Sequence, residues 1–412
     1  MYQRDIYLDQ LIKLRGTAPI KVITGVRRCG KSTLLDLFEE YLLGDGVPRD
    51  AIIRMNFELV EFDHIRDYRD LLSYLEPRTG KYGKTWLLLD EIQQVSGWEK
   101  GVNSLQALKQ ADIYLTGSNA YMLSSELATL LAGRYIEIKM LPLSFKEYLD
   151  FNRHETRENL EGYFNAYIEY GGFPGLSEIP RDDALVRAFL SGIYNTILLK
   201  DVVSRNTIRD VDLLEKVVRF ITSNIGNMVS AQKISDYLIS SGRKTSHETI
   251  DSYLKMLENA NMLYKVRRYD IKGKEFLKNH GKYYIVDMGL RYWSLGKKNA
   301  DMGSILENIL YLELLRRGYQ VFIGKLPASS RRDLGDSGAL EVDFITLKAG
   351  IKTYYQVTWT MQSPGVQERE LKPLQAIDDN YEKIILSMDR TPFTDYEGIK
   401  HLNIIDFLLT ND

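Results

Sequence analysis

Two glycines, a lysine and paired hydroxyl residues stand in the order G-x-x-x-x-G-K-[ST] at Gly25-Val26-Arg27-Arg28-Cys29-Gly30-Lys31-Ser32-Thr33. Chemistry on a polyphosphate needs these residue types at this spacing. A tight glycine-bearing turn aims successive backbone N–H groups, and the positive end of the following helix, at phosphate oxygens. Lys31 would reach the β- and γ-phosphates and Ser32 would give its hydroxyl to Mg²⁺. Gly25 and Gly30 allow a close backbone approach that a Cβ would obstruct. The loop is flanked by an apolar run, Ile20-Lys21-Val22-Ile23-Thr24, and by Leu34-Leu35-Asp36-Leu37-Phe38, so the context is strand, phosphate loop, helix.

A cradle hydrolyses nothing without a metal ligand and a base for water. Trp86-Leu87-Leu88-Leu89-Asp90-Glu91 reads as a buried parallel strand that ends in an acidic pair. Its carboxyl end would deliver Asp90 to the Mg²⁺ shell and Glu91 to the attacking water. A core strand capped by two solvated acids is the plainer alternative.

Asp112-Ile113-Tyr114-Leu115-Thr116 is a third strand, and it closes in Gly117-Ser118-Asn119. In P-loop ATPases with an extra strand between the phosphate-loop strand and the acidic strand, a polar residue at this tip senses the γ-phosphate. Ser118 and Asn119 are the candidates, and the same pair serves equally as a helix N-cap. Arg134 precedes the alternating segment 135–140, a further strand. An arginine there either stabilises transition-state charge, in cis or in trans, or is a surface cation.

Together GVRRCGKST, LLLDEIQ, LTGSNA, LAGRYIEI and LPLSFKEYL resemble the bacterial and archaeal AAA+-like ATPases related to the STAND class. The resemblance covers essentially the whole chain. It implies an α/β protein whose ATPase part is a P-loop NTPase of the ASCE type, built on a parallel sheet. A helical lid plus winged helix and a C-terminal α/β nuclease-like domain follow it. ATP and Mg²⁺ are the implied cofactors; the preference for ATP over GTP comes from the resemblance.

The chain has 412 residues, 44% hydrophobic and 27% charged, the composition of a multidomain globular protein rather than a fibre or a disordered chain. No apolar run approaches a bilayer span, and the charged start Tyr2-Gln3-Arg4-Asp5-Ile6-Tyr7-Leu8 lacks a signal peptide's apolar core, so a cytoplasmic location without membrane association is expected. The one cysteine, Cys29, falls inside the phosphate loop, where thiol modification is expected to block nucleotide by bulk. The five histidines are scattered and none pairs at i, i+4.

A net charge of −2 gives no global attraction to nucleic acid, so DNA contact would need a local patch. Residues 212–224, 231–241 and 246–260 carry helical spacing, and strands at 262–269 and 282–286 follow, the order of a winged helix. Lys265, Arg267, Arg268, Lys272, Lys274, Lys278 and Lys282 stand against Asp270 and Glu275 in its wing. Ser246, His247, Thr249 and Lys255 on the third helix would face a groove. Winged helices serve equally as lids and protein contacts.

In the last hundred residues a helix at 305–315, strands at 319–323, 341–345 and 354–358 and a helix at 367–377 resemble the PD-(D/E)XK nuclease core. That resemblance implies Glu307 as the first-helix acid, Asp343 as the central acid and Gln356 in place of the acid of the E-x-K pair. Thr358 stands where the family's lysine belongs, unless Lys372 migrates in from the next helix. An uncharged ligand and a missing cation weaken Mg²⁺ binding and charge stabilisation, so a degenerate, structural or DNA-holding domain is expected.

These readings divide the chain into an ATPase domain (1–143), a helical lid or linker (144–210), a winged helix (211–295) and a nuclease-like domain (296–412). Tyr170-Gly171-Gly172-Phe173-Pro174-Gly175 interrupts the linker as either a hinge or a rigid turn. Two functions fit: a nucleotide-driven ATPase switch, with DNA or an unidentified protein as partner and oligomerisation open, or a DNA-binding or DNA-cleaving protein regulated by ATP.

Overall fold

The computed structural model describes residues 4–81, 83–117, 129, 131–152, 159–206, 208–273, 275–296, 301–326, 340–390 and 394–410. Its first part is one parallel sheet. Helix α1 (Asp5–Lys13) leads to β1 (Ile20–Gly25), the phosphate loop and α2 (Lys31–Gly44). Then come β2 (Ile52–Asn56), α3 (Tyr68–Leu75), β3 (Thr85–Asp90), α4 (Trp98–Ala107), β4 (Ala111–Thr116) and β5 (Tyr135–Met140). The strands lie in the order β2-β3-β4-β1-β5, every pair parallel, so β4 is the expected extra strand between the phosphate loop and Asp90.

Both faces of this sheet are covered, which is why β1 and β3 are buried at every residue. Ile23, Leu88 and Tyr114 pack toward Leu11, Leu34 and Phe38, in the cluster that contains α1 and α2. Val22, Leu87, Leu89, Ile113 and Leu115 pack with Leu71 of α3 and Val102 and Leu105 of α4. The pleat sends alternate side chains to opposite layers, so the strand ends are held in one register.

Helices α5 (Phe145–Phe151), α6 (Leu160–Tyr170) and α7 (Asp183–Asn195) follow, and α7 runs into a π-helical segment, Thr196–Val203. Ser144 and Glu147 form a reciprocal capping box that starts α5. The glycine-rich turn after α6 is packed rather than loose: a Cβ on Gly172 would lie 2.5 Å from Leu143 O. The Gly172 N–H donates to Asp287 Oδ2 at 2.7 Å.

Next stand α8 (Val211–Ser223), β6 (Met228–Val229), α9 (Ala231–Ser240), α10 (His247–Asn259), β7 (Leu263–Asp270), β8 (Glu275–Ile285) and α11 (Met288–Leu295). The C-terminal part comprises α12 (Met302–Arg316), β9 (Gln320–Leu326), β10 (Leu340–Lys348), β11 (Ile351–Val357), α13 (Pro364–Gln375), β12 (Glu382–Ser387), β13 (Thr394–Tyr396), β14 (Ile399–Asn403) and α14 (Ile404–Leu409). All strands from β6 onward form a single nine-stranded sheet in the order β13-β14-β12-β11-β10-β9-β7-β8-β6. It crosses the division drawn at 295/296, because β7 pairs with β9 in parallel from Arg268↔Ile323 to Asp270↔Lys325. Among the described residues no helix is long and apolar enough to cross a membrane.

Candidate functional site

The phosphate loop leaves the carboxyl end of β1 in a conformation only glycine accepts cheaply. Gly25 has φ of 148°, and a Cβ there would come within 2.2 Å of Met140 O on the neighbouring strand. Arg28 adopts a left-handed φ of 68° and Gly30 a φ of 100°. Gly30 is the N-cap of α2, so the first free amides of that helix open onto the loop. Lys31 is buried, and its Nζ donates to Gly25 O and Val26 O, both at 3.2 Å. Ser32 is half-buried beside it, and Arg28 and Thr33 are exposed.

Cys29 is not open to solvent. Its side chain is completely buried, in the same core cluster as Val26 and Leu34. Burial pushes its thiol above the ordinary range despite the nearby charges of Lys31 and Arg4. A reagent would reach this thiol only when the loop opens.

Asp90 closes β3 with no solvent exposure, and Glu91 follows it with φ of 54° and 6% exposure. A non-glycine residue in the left-handed region costs on the order of 1 kcal/mol and persists where the surroundings fix it. Thr116, at the end of β4, fixes both acids: its hydroxyl donates to Asp90 Oδ1 and accepts the Glu91 N–H at 3.0 Å. Gln93 Nε2 donates to Glu91 Oε2. Arg54 of β2 donates from Nη2 to Asp90 Oδ2 at 3.2 Å, to Asp36 Oδ1 at 3.0 Å and to Ser32 O at 3.4 Å. One guanidinium nitrogen thus touches both the backbone carbonyl of Ser32 and the Asp90 carboxylate, which brings the start of α2 and the end of β3 to one place.

Thr116 and Arg54 escaped the sequence reading. Arg54 left a signal, a cation inside the otherwise apolar strand Ile52-Ile53-Arg54-Met55. Ser118 and Asn119 lie outside the described residues. Arg134 is exposed at the start of β5, where its carbonyl accepts the Ile20 N–H at 2.9 Å. Parallel pairing of β1 with β5 puts Ile20 against Tyr135 and Gly25 against Met140. Arg134 therefore stands at the sheet end opposite its own phosphate loop, a span of about 16 Å.

A second cluster forms around the residues that carried the nuclease resemblance. Glu307 on α12, Glu341 and Asp343 on β10 converge on Lys282 Nζ of β8, at 2.6, 2.9 and 3.6 Å. Lys282 is 3% exposed. Burial alone would discharge it, but the Glu307, Asp343 and Glu341 charges win and raise it above the ordinary lysine range. Burial raises Glu307 and Asp343 as well, although Lys282 opposes both shifts. The cation beside the carboxylates is thus Lys282 from the hairpin; Lys372 is exposed on α13. Gln356 donates from Nε2 to the buried Glu370 at 2.8 Å, and Asp343 Oδ2 accepts the Val357 N–H at 2.8 Å. Among the described residues no group of three His, Cys, Asp or Glu side chains is arranged to hold a metal ion.

The AAA domain family matches residues 17–149, and a domain of unknown function (DUF8612) matches 161–301. An uncharacterized protein of Haemophilus influenzae is 42% identical over 411 residues, 99% of either chain. An uncharacterized protein of Methanocaldococcus jannaschii is 33% identical over 371 residues, 87% of this chain and 79% of that one. Among solved structures, Cdc6p of Pyrobaculum aerophilum is 11% identical, with 75% of this chain and 94% of that chain covered at a TM-score of 0.31, too loose a match to inform the site. The chain belongs to the family of these bacterial and archaeal relatives, and its AAA domain makes it a nucleotide-binding P-loop ATPase at the level of that family.

Proposed function

We propose that the protein is a Mg²⁺-dependent ATPase that works as a nucleotide-driven switch. The observation that carries this is the joint tethering of Ser32 and Asp90 by Arg54, with Thr116 orienting Asp90 and Glu91 at the same end of the sheet. The residues present fit ATP: Gly25 and Gly30 leave room at the backbone, and the amides of the loop and the α2 N-terminus supply donors. With nucleotide and metal bound, Lys31 would hold the β- and γ-phosphate charge and Ser32 and Asp90 would hold Mg²⁺, whose charge would offset the negative charge of those phosphates. Glu91 orients and deprotonates the water. Arg134, remote from its own loop, serves a neighbouring copy in an oligomer.

The helices and hairpin from α8 to β8 serve as a winged helix that meets DNA or a protein. Ser246, which caps α10, and His247 and Lys255 on that helix are exposed and suited to contact. The C-terminal part then holds rather than cuts. Lys282 already satisfies the carboxylates that a nuclease would reserve for metal. Nicking of supercoiled DNA that disappears in Asp343→Ala would overturn this part.

Phosphate release from ATP by the parental protein, Lys31→Ala and Glu91→Gln, with and without duplex DNA at low salt, tests the whole reading. Lys31→Ala should neither bind nor turn over. Glu91→Gln should bind and not turn over. Parental turnover in Glu91→Gln removes Glu91 as the base, and stimulation by DNA identifies the partner class.

A further inference from the structure

Arg4 is the N-cap residue of α1, yet its guanidinium is buried where three separate segments meet. Its Nη1 donates to Cys29 O of the phosphate loop at 3.0 Å. Its Nη2 donates to Leu141 O, just past β5, at 3.0 Å and to Glu147 Oε2 at 2.8 Å, while Nε donates to Glu147 Oε1 at 2.8 Å. Two nitrogens on two carboxylate oxygens fix the plane of the guanidinium, which leaves the third nitrogen aimed at Cys29. Tyr7, one turn along α1, supports the arrangement. Its ring centre lies 4.8 Å from the guanidinium carbon, and its hydroxyl accepts the Leu141 N–H at 3.1 Å.

Cys29 and Gly30 share one planar trans peptide, in which the carbonyl of the first residue and the N–H of the second point opposite ways. Holding Cys29 O against the buried guanidinium therefore turns the Gly30 N–H away from it. That amide stands at the entrance to α2, and Gly30 takes its φ of 100° without the strain a Cβ would bring. A loop whose peptide is set in advance does not have to be ordered by the ligand, which would cost affinity. The anchor behind Arg4 is itself held. Arg316 Nε of α12 lies 3.9 Å from Glu147 Oε2, and Arg316 Nη2 donates to Pro142 O at 2.9 Å. Burial works against the Glu147 charge, but Arg4 and Arg316 outweigh it.

We propose that Arg4 is a positioning residue for nucleotide, presetting the Gly30 N–H for a phosphate oxygen by gripping the carbonyl on the far side of the same peptide; this rests on the ATPase reading above. Arg4 is 3% exposed and stays clear of the phosphate itself. It acts from inside the core, and Glu147 and Leu141 fix its direction before any nucleotide arrives.

Two variants of the full chain separate this role from packing. Arg4→Lys keeps the charge beside Glu147 and has one nitrogen in place of the fork. Arg4→Met combined with Glu147→Met removes the buried pair whole, a replacement that often leaves stability intact. Titration calorimetry with ATP, in a Glu91→Gln background to stop turnover, should show affinity about tenfold weaker in either variant, the scale of one hydrogen bond to a charged group. A folded variant that binds ATP as the parent does overturns the proposal. A second readout is specific to the peptide. In protein labelled with ¹⁵N-glycine, the Gly30 amide proton should move downfield when a non-hydrolysable ATP analogue binds the parent, and by less in Arg4→Lys at saturation. A loss of packing elsewhere would not change that shift selectively. No movement of the Gly30 signal in the parent overturns the proposal, whether or not the variants fold. If Lys31→Ala binds ATP as the parent does, the ATPase reading itself fails; if Lys31→Ala does not bind while a folded Arg4 variant binds as the parent does, only the role of Arg4 fails.

Discussion

The Lys282 ammonium lies 2.6 Å from Glu307 Oε1, although one belongs to the hairpin and the other to α12. Glu341 and Asp343 close the same cation from a third element. Removing one partner of a buried ionic group strands the others. Lys282→Met should therefore destabilise the protein by about 3–5 kcal/mol, read from urea denaturation. Adding Glu307→Gln should return part of the loss. An unchanged midpoint in the single variant would contradict the ionic account.

Thr116→Val retains the shape of the side chain and removes the hydroxyl shared by Asp90 and Glu91. Turnover should fall roughly tenfold to a hundredfold, the usual scale for a misplaced reacting group. ATP affinity should stay within about twofold, because the phosphate loop is untouched. Separate measurement of kcat and nucleotide binding distinguishes this from a folding defect, which would lower both.

Cys29 should resist iodoacetamide in the native protein and react readily in urea, since burial both hides the sulfur and disfavours its thiolate. Mass spectrometry of the phosphate-loop peptide follows the reaction. Rapid native alkylation would mean that the loop opens far more than its packing implies.

Glu147 sits in a buried network: Arg4 donates to it from Nε and Nη2, both at 2.8 Å, and Arg316 Nε lies 3.9 Å away. Burial pushes Glu147 upward, but Arg4 and Arg316 outweigh it and hold the carboxyl below its ordinary range. A depressed carboxyl stabilises the fold above its unfolded pKa and loses that contribution as pH falls through the folded value. Glu147→Gln should cost about 3 kcal/mol at pH 7. The gap between variant and parent should shrink as pH drops below the ordinary glutamate range. A gap that is constant with pH would show that packing, not charge, carries the effect.

Arg134 opens β5 at the end of the sheet away from its own phosphate loop. Arg134→Ala and Lys31→Ala should each lack turnover, and mixing the two should restore some of it if arginine from one copy completes the site of another. No recovery on mixing, with both variants folded and associated, would confine Arg134 to the surface.

The ATPase core was legible because its signals are local. A glycine-lysine turn between an apolar strand and a helix, and an acidic pair ending a continuous apolar run, follow from chain geometry alone, and the sheet order agrees with the expected extra strand. Thr116 was silent and Arg54 showed only as a cation in an apolar strand, since each matters through strands that are neighbours in space. Lys282 was counted with the basic wing, yet its strand threads the sheet interior and its charge faces acids. Periodicity does not record which strands of separate segments pair, so the join of β7 to β9 was invisible.

That join has a consequence for how such a gene is able to change. The three register pairs from Arg268↔Ile323 to Asp270↔Lys325 stitch one module's hairpin to the next module's first strand. Cutting the chain near residue 300 would leave β7 with a bare row of amides and carbonyls, an adhesive edge. Recombination at that apparent seam would therefore yield fragments with an exposed strand edge.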